Sequence, residues 1–301
     1  MATFMLVHPA WLGGWCWRKL APLLRESGHQ VHTPTLTGLG ERAHLAHPGV
    51  DLATHIEDIV NALVFEDLDE VILVGNSSAG MVIACVAERV PGRIARLVYL
   101  DAFVPADGQC LLDLVPPDRR PAMEALVESE GEGWLLPRFA AAPWPEFIPR
   151  VWQVTDEADL AWMLARLRPT PFGQFTTPIQ VTDPAAARLP RTYVRCTAWP
   201  HPGFDRMADH AETRSRRAKA CPRGVSSATR SANSSSRVGR AHRRRWRGDA
   251  DRVPHPSSLV PSTSGDVQLS GVAGCASKRQ APPLMKAQVI DLGLRRSRMR
   301  E

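Results

Sequence analysis

The chain opens with an apolar run, Thr3 to Val7, that has no polar alternation. Such a run suits a strand buried on both faces, as in a parallel sheet. A loop of small residues follows, with Pro9, Ala10, Gly13 and Gly14. Leu20, Leu23 and Leu24 then recur at helical spacing and predict a helix over about Trp17 to Ser27. Gly28 stands where a helix C-terminal cap belongs. Gln30 to Pro34 reads as the next strand. After a Gly-rich loop from Leu36 to Arg42, the stripe Ile56, Ile59, Val60 and Leu63 predicts a helix over about Leu52 to Phe65. Val71 to Val74 is the most strand-like run in the chain. It breaks at Gly75-Asn76-Ser77-Ser78-Ala79-Gly80, leads into a helical segment over Met81 to Arg89, and is followed by a strand over Arg96 to Phe103. Strands alternating with helices predict an α/β fold with a doubly wound, mostly parallel sheet.

Between about Val104 and Pro190 that rhythm stops. Prolines are dense and Trp134, Trp144, Trp152 and Trp162 fall among them, a pattern that predicts short, broken helices forming a lid inserted into the sheet domain. Arg191 to Cys196 resumes a strand and Phe204 to Ala211 begins a helix. From residue 212 to about 270 no window carries a helical or strand stripe, and only Leu284 to Leu294 could form a short amphipathic piece. A segment this poor in apolar residues cannot bury enough surface to offset its chain entropy, so residues 212–301 read as an irregular, disordered tail.

Charge divides at the same place. Residues 1–211 carry 17 Lys+Arg and 25 Asp+Glu, whereas residues 212–301 carry 20 and 6. Of 19 aromatic residues, only Trp246 lies in the second part. An acidic globular body (1–211, lid about 104–190) is thus joined to a basic Arg/Ser-rich tail, which excludes a uniformly basic nucleic-acid binder. Such a tail would attract anions non-specifically, but without interleaved aromatics it is no specific nucleic-acid reader. No apolar run approaches the ~18 residues of a membrane span, and Phe4 to Val7 is too short for a signal peptide. Six widely spaced cysteines, Cys16, Cys85, Cys110, Cys196, Cys221 and Cys275, form no C-x-x-C pair and suggest free thiols. A soluble, cytoplasmic protein is expected.

The break after Val71 to Val74 carries the chemistry. G-N-S-S-A-G between a buried strand and a helix is the context of a nucleophile elbow, where a sharp turn lifts the central serine clear of the sheet. Small residues are needed on either side, and Gly75 and Ala79 meet that demand. The spacing selects Ser77 as the nucleophile. An acyl-transfer site also needs two N–H groups aimed at the developing oxyanion. The residue after the nucleophile, Ser78, supplies one, and the loop after the first strand supplies the other, expected from Ala10 because Pro9 has no N–H.

Five stretches in order, LVHPAWLGGWCW at 6–17, TPTLTGLGER at 33–42, THIEDIVNAL at 54–63, VILVGNSSAG at 71–80 and LVYLDAFVPADGQ at 97–109, resemble the α/β-hydrolase superfamily. More narrowly, they are similar to its esterase branch of plant methyl-ester esterases, hydroxynitrile lyases and bacterial salicylate-esterase-like proteins. The resemblance covers about residues 3–211. Pro9 departs from the family's Gly and from the Thr of its lyases, and Asn76 and Ala79 depart from G-H-S-x-G-G.

The resemblance implies a Ser–acid–His order. Asp101, at the end of the Arg96 to Phe103 strand, is the preferred acid, since that strand's C-terminal end faces the site in such a sheet. Asp205 is the alternative; the plant members carry their acid where this chain has Trp199. The histidine expected about 30 residues after Cys196 is missing, because none lies between His210 and His242. His210, His242, His255 and His8 are each poorly placed, so the catalytic histidine is unassigned. The pattern ends where the composition changes, as a reading-frame shift or a fusion would produce. The expected function is a serine carboxylesterase acting on small hydrophobic or aromatic esters, without cofactor or metal. The alternatives are a hydrolase-fold protein impaired by the missing histidine and a hydroxynitrile-lyase-like C–C lyase.

Overall fold

The computed structural model describes residues 1–138, 143–196, 203–204, 206–207 and 287–291. All of them fall in one unit, Met1–Pro222 with Leu284–Glu301. Its first half alternates strand and helix: β1 (Thr3–Val7), α1 (Leu20–Glu26), β2 (Gln30–His32), α2 (Leu52–Phe65), β3 (Val71–Ser77), α3 (Ala79–Arg89) and β4 (Ile94–Ala102). The lid follows, with α4 (Arg119–Glu130), β5 (Leu135–Leu136), α5 (Trp144–Phe147), α6 (Glu157–Leu164), β6 (Thr170–Pro171), α7 (Gly173–Thr176) and α8 (Pro184–Arg188). The chain then returns to the sheet with β7 (Arg191–Cys196). The last described element, β8 (Ala287–Asp291), comes from the region expected to be an irregular tail.

The main sheet has the order β2-β1-β3-β4-β7-β8. Every pair from β2 to β7 is parallel, and β8 joins β7 antiparallel. The expected mostly parallel α/β sheet with an inserted helical lid is therefore present. Its central strands are apolar along their length because helices cover both faces. One face packs a small group of Leu6, Trp17, Ala21, Val31 and Val74 under α1. The other carries the main core, into which α3 is buried from Ala79 to Ala87.

Local sequence accounts for most boundaries. The α2 stripe buries Leu52, His55, Ile59, Val60 and Leu63, and Asp51 caps its start by accepting the Thr54 N–H at 3.0 Å. Such a cap contributes about 1 kcal/mol. Gly28, at φ 82, ends the turn after α1 in the left-handed conformation glycine tolerates best. The face of the first helix differs from expectation. Leu20 and Leu23 are 37% and 59% exposed, and the buried positions are Trp17 and Ala21, with Leu24 packed at the edge. The set 17, 21 and 24 is equally helical in spacing, and the large indole wins the core.

The lid is fastened to the body by charge and aromatic contacts. Asp159 on α6 accepts from Arg18 at 3.0 Å and also pairs with Lys19. The Arg18 guanidinium lies 3.5 Å and that of Arg166 4.2 Å from the Trp162 ring centroid, and Trp15 meets the same ring edge-on. Each exposed cation–π contact is worth about 0.5–1 kcal/mol. Trp162→Ala is expected to lower the unfolding free energy by about 1–2 kcal/mol, read as a lower urea midpoint at unchanged m; an unchanged midpoint refutes the fastening role.

Candidate active site

The site is built where β3 ends. Ser77 has φ 52, a left-handed backbone that a non-glycine residue adopts only under constraint. The chain turns there from strand to helix within two residues, since Ser77 closes β3 and α3 begins at Ala79. Two close approaches enforce the turn. A Cβ on Gly80 would lie 2.0 Å from the Phe103 carbonyl oxygen, and one on Gly75 would lie 2.8 Å from the Ala79 oxygen. The Phe103 N–H donates to the Ser77 carbonyl at 3.1 Å, tying the end of β4 to the turn. Ser77 is half-buried, and its hydroxyl has no hydrogen-bond partner among the described residues.

Ser78 heads α3, where the first N–H groups lack intrahelical acceptors and the helix dipole is positive. The Ala10 N–H, expected to face the same point, donates to the Ser78 Oγ at 2.8 Å. A residue that no sequence signal marked, Gln174 on α7, donates from Nε2 to the same oxygen at 3.3 Å. Gln174 is wholly buried, and its Oε1 has no partner among the described residues. Ser78 is 2% exposed.

The lid holds this loop in place. The Trp11 N–H donates to Thr170 Oγ1 at 2.7 Å, its indole N–H donates to the Leu136 carbonyl at 2.9 Å, and its own carbonyl accepts the Arg168 N–H at 3.1 Å. Leu136 and Thr170 face each other across the β5–β6 pair. Trp11 itself has φ 66, so the clamp fixes a strained backbone next to Ala10. Its ring meets Trp144 at 5.3 Å and Phe175 at 5.9 Å, and Trp144 in turn packs on Phe147 and Trp152. An aromatic group of the lid thus lies against the loop beside Ser78.

Asp101 stands one strand away. Asn76 pairs with Leu100 and Ser77 with Ala102, which leaves Asp101 as the extra residue of a bulge on β4, at φ 39. Bulges re-aim a side chain out of the ladder. Asp101 Oδ1 accepts the Cys196 N–H at 2.9 Å, across to the end of β7. Burial, followed by the nearby Asp101 charge, pushes the Cys196 thiol up to about 12. The alternative acid Asp205 lies outside the described residues.

No described histidine serves Ser77. His8 is fully buried beside the Ala10 loop, but both ring nitrogens are engaged. Its Nε2 accepts the Leu36 N–H at 3.0 Å, which leaves Nδ1 to donate to the Pro9 carbonyl at 2.8 Å. Among the described residues no histidine bonds the Ser77 hydroxyl, and no group of three or more His, Cys, Asp or Glu could hold a metal. His210, His242 and His255 lie outside them. Desolvation drives the His8 pKa from 6.5 to about 4, and burial lowers His55 in the same direction. The unfolded chain therefore binds protons below about pH 6.5 that the folded chain refuses, so stability is full above that value and falls as pH drops toward about 4. His8→Gln is expected to lower the melting temperature at pH 8 yet flatten its decline between about pH 6.5 and 4. A variant with the wild-type slope refutes the buried neutral imidazole.

The Alpha/beta hydrolase family model matches residues 4–228. Over 199 residues the chain is 40% identical to the carbendazim hydrolyzing esterase of Nocardioides sp. (strain SG-4G), covering 66% of this chain and 81% of that protein. It is 29% identical over 209 residues to salicylic acid-binding protein 2 of Nicotiana tabacum, covering 64% and 78%. Among solved structures, an extracellular alpha/beta-hydrolase from a Paenibacillus species aligns at TM-score 0.57 and 28% identity, covering 64% of this chain and 76% of that one. The parallel sheet, the inserted lid and the strand–turn–helix at Ser77 agree with this match: the chain belongs to the alpha/beta hydrolase family.

Proposed function

We propose that the protein is a serine carboxylesterase acting on small hydrophobic or aromatic carboxylic esters through an acyl-enzyme on Ser77. The observation that carries this reading is the left-handed Ser77 at the β3–α3 turn, with Ser78 and Ala10 gathered beside it. Relatives named as an esterase and as methylesterases support ester chemistry. The lid aromatics Trp144 and Phe175 on Trp11, with Trp152 against Trp144, favour a flat apolar group in the acid or alcohol portion.

In this reading the Ser77 oxygen attacks the ester carbonyl, and the negative charge that grows on the carbonyl oxygen is met by the backbone N–H of Ser78 at the N-terminus of α3 and by the loop of Ala10. The reading requires an imidazole, unassigned in this chain, to take the Ser77 proton and return it to the leaving alcohol, with Asp101 as the acid that orients it. Water then releases the acid from Ser77. Catalysis belongs to the body (1–211, lid about 104–190), with Ala287–Asp291 of the tail extending its sheet beside β7. The four described cysteines are all free, which supports a reducing compartment such as the cytoplasm.

One observation favours a second reading, an impaired hydrolase: the Ser77 hydroxyl has no imidazole partner among the described residues, and His8 is locked by backbone groups. Hydrolysis of p-nitrophenyl esters separates the two. The esterase reading expects Ser77→Ala to lower kcat/KM by about 10³-fold or more. Equal rates in the two proteins overturn it. A wild-type rate already at the level of an uncatalysed control identifies the impaired protein.

A further inference from the structure

We propose that the Ser78 hydroxyl is the oxyanion donor on the lid side of the site, and that the Ala10 N–H acts through it. The inference rests on the esterase reading and names a group that the reading leaves unused. A serine hydroxyl has two lone pairs and one proton. Here the Ala10 N–H occupies one lone pair at 2.8 Å and the Gln174 amide the other at 3.3 Å. Only the proton remains to be given, and it has no acceptor among the described residues. The group is 2% exposed, so bulk water does not satisfy it. A buried donor held by two bonds with its proton unspent is uncommon, since buried polar groups are as a rule paired.

Its position gives the proton a target. Ser78 follows Ser77 directly and is the N-cap of α3, so its hydroxyl is carried at the helix N-terminus next to Ser77. When the Ser77 oxygen bonds the ester carbon, the carbonyl electron pair moves onto oxygen, and that oxygen needs donors fixed in advance. The Ser78 hydroxyl donates a hydrogen bond to it without giving up its proton. Both bonds that it accepts polarise its O–H and strengthen that donation. Gln174 is then a positioning residue: it lies on α7, 96 residues away, and holds the hydroxyl in a single orientation. The Ala10 N–H donates to Ser78 Oγ at 2.8 Å and, in this proposal, reaches the oxyanion through that hydroxyl.

The test uses the full chain and two readouts. Ser78→Ala keeps the backbone N–H and removes the hydroxyl. It is expected to lower kcat for p-nitrophenyl acetate about tenfold to a hundredfold with KM within about twofold, as for loss of an oxyanion donor. The second readout needs no turnover. Phenylacetate, whose carboxylate oxygen would sit where the oxyanion forms, is titrated by calorimetry into Ser77→Ala and into Ser77→Ala with Ser78→Ala; the double variant is expected to bind about tenfold more weakly. Gln174→Leu, in the same Ser77→Ala background, is expected to weaken binding in the same direction and serves if Ser78→Ala does not fold. A Ser78→Ala enzyme as fast as wild type or faster, or equal phenylacetate affinity in the paired variants, overturns the proposal. Should Ser77→Ala leave ester hydrolysis intact, the esterase reading fails, and the phenylacetate comparison still decides whether Ser78 donates.

Discussion

The site depends on one constraint: the chain must leave β3 and enter α3 within two residues, under the end of β4. At Gly80 the Phe103 carbonyl comes so close that any side chain would overlap it, and at Gly75 the backbone of Ala79 does the same. With both flanks pressed in, Ser77 takes a left-handed φ at the strand–helix junction. The cost of that conformation, of order 1–3 kcal/mol, is met by the buried α3 helix and the paired strands on either side. The same crowding places the positive end of α3 beside the serine.

A second layer of the structure makes the loop after β1 equally rigid. Trp11 gives both its N–H groups and its carbonyl to the lid, through Thr170, Leu136 and Arg168. The lid is therefore part of the site's framework and not only a cover. It fixes the neighbour of Ala10, contributes Gln174, and is itself held to the body through Asp159 and Trp162. Asp101 shows the same division of labour. The β4 bulge aims it, and the Cys196 N–H at the end of β7 fastens it.

How much of this was legible in the sequence varied with the range of the forces involved. The α2 limits, Leu52 and Phe65, coincide with the expected ones, because a local cap and a strict apolar stripe set them. The β7 limits coincide as well. The α1 face was misread, since two helical spacings fit the same residues and only packing against β1 and β2 chose Trp17 and Ala21 over Leu20 and Leu23. The strand–helix junction at Ser77 could be located from six residues because the demands of so tight a turn are local. The locked His8 could not, because its partner, Leu36, comes from another loop.

The sequence by itself determined the alternation that builds the parallel sheet, the insertion of a lid, the position of Ser77 and Ser78 at a strand–helix junction, and the family. These follow from periodicity, small residues at fixed offsets and motif order, all of which act over a few positions. Only the tertiary structure decided that the Ala10 N–H bonds the Ser78 hydroxyl, that Gln174 shares that oxygen, that Asp101 is the extra residue of a bulge, and that His8 is neutral and engaged. The physical reason is common to all four. Each is a hydrogen bond or strand register between segments from 24 to 96 residues apart, and no local pattern encodes which donor will find which acceptor when the core closes.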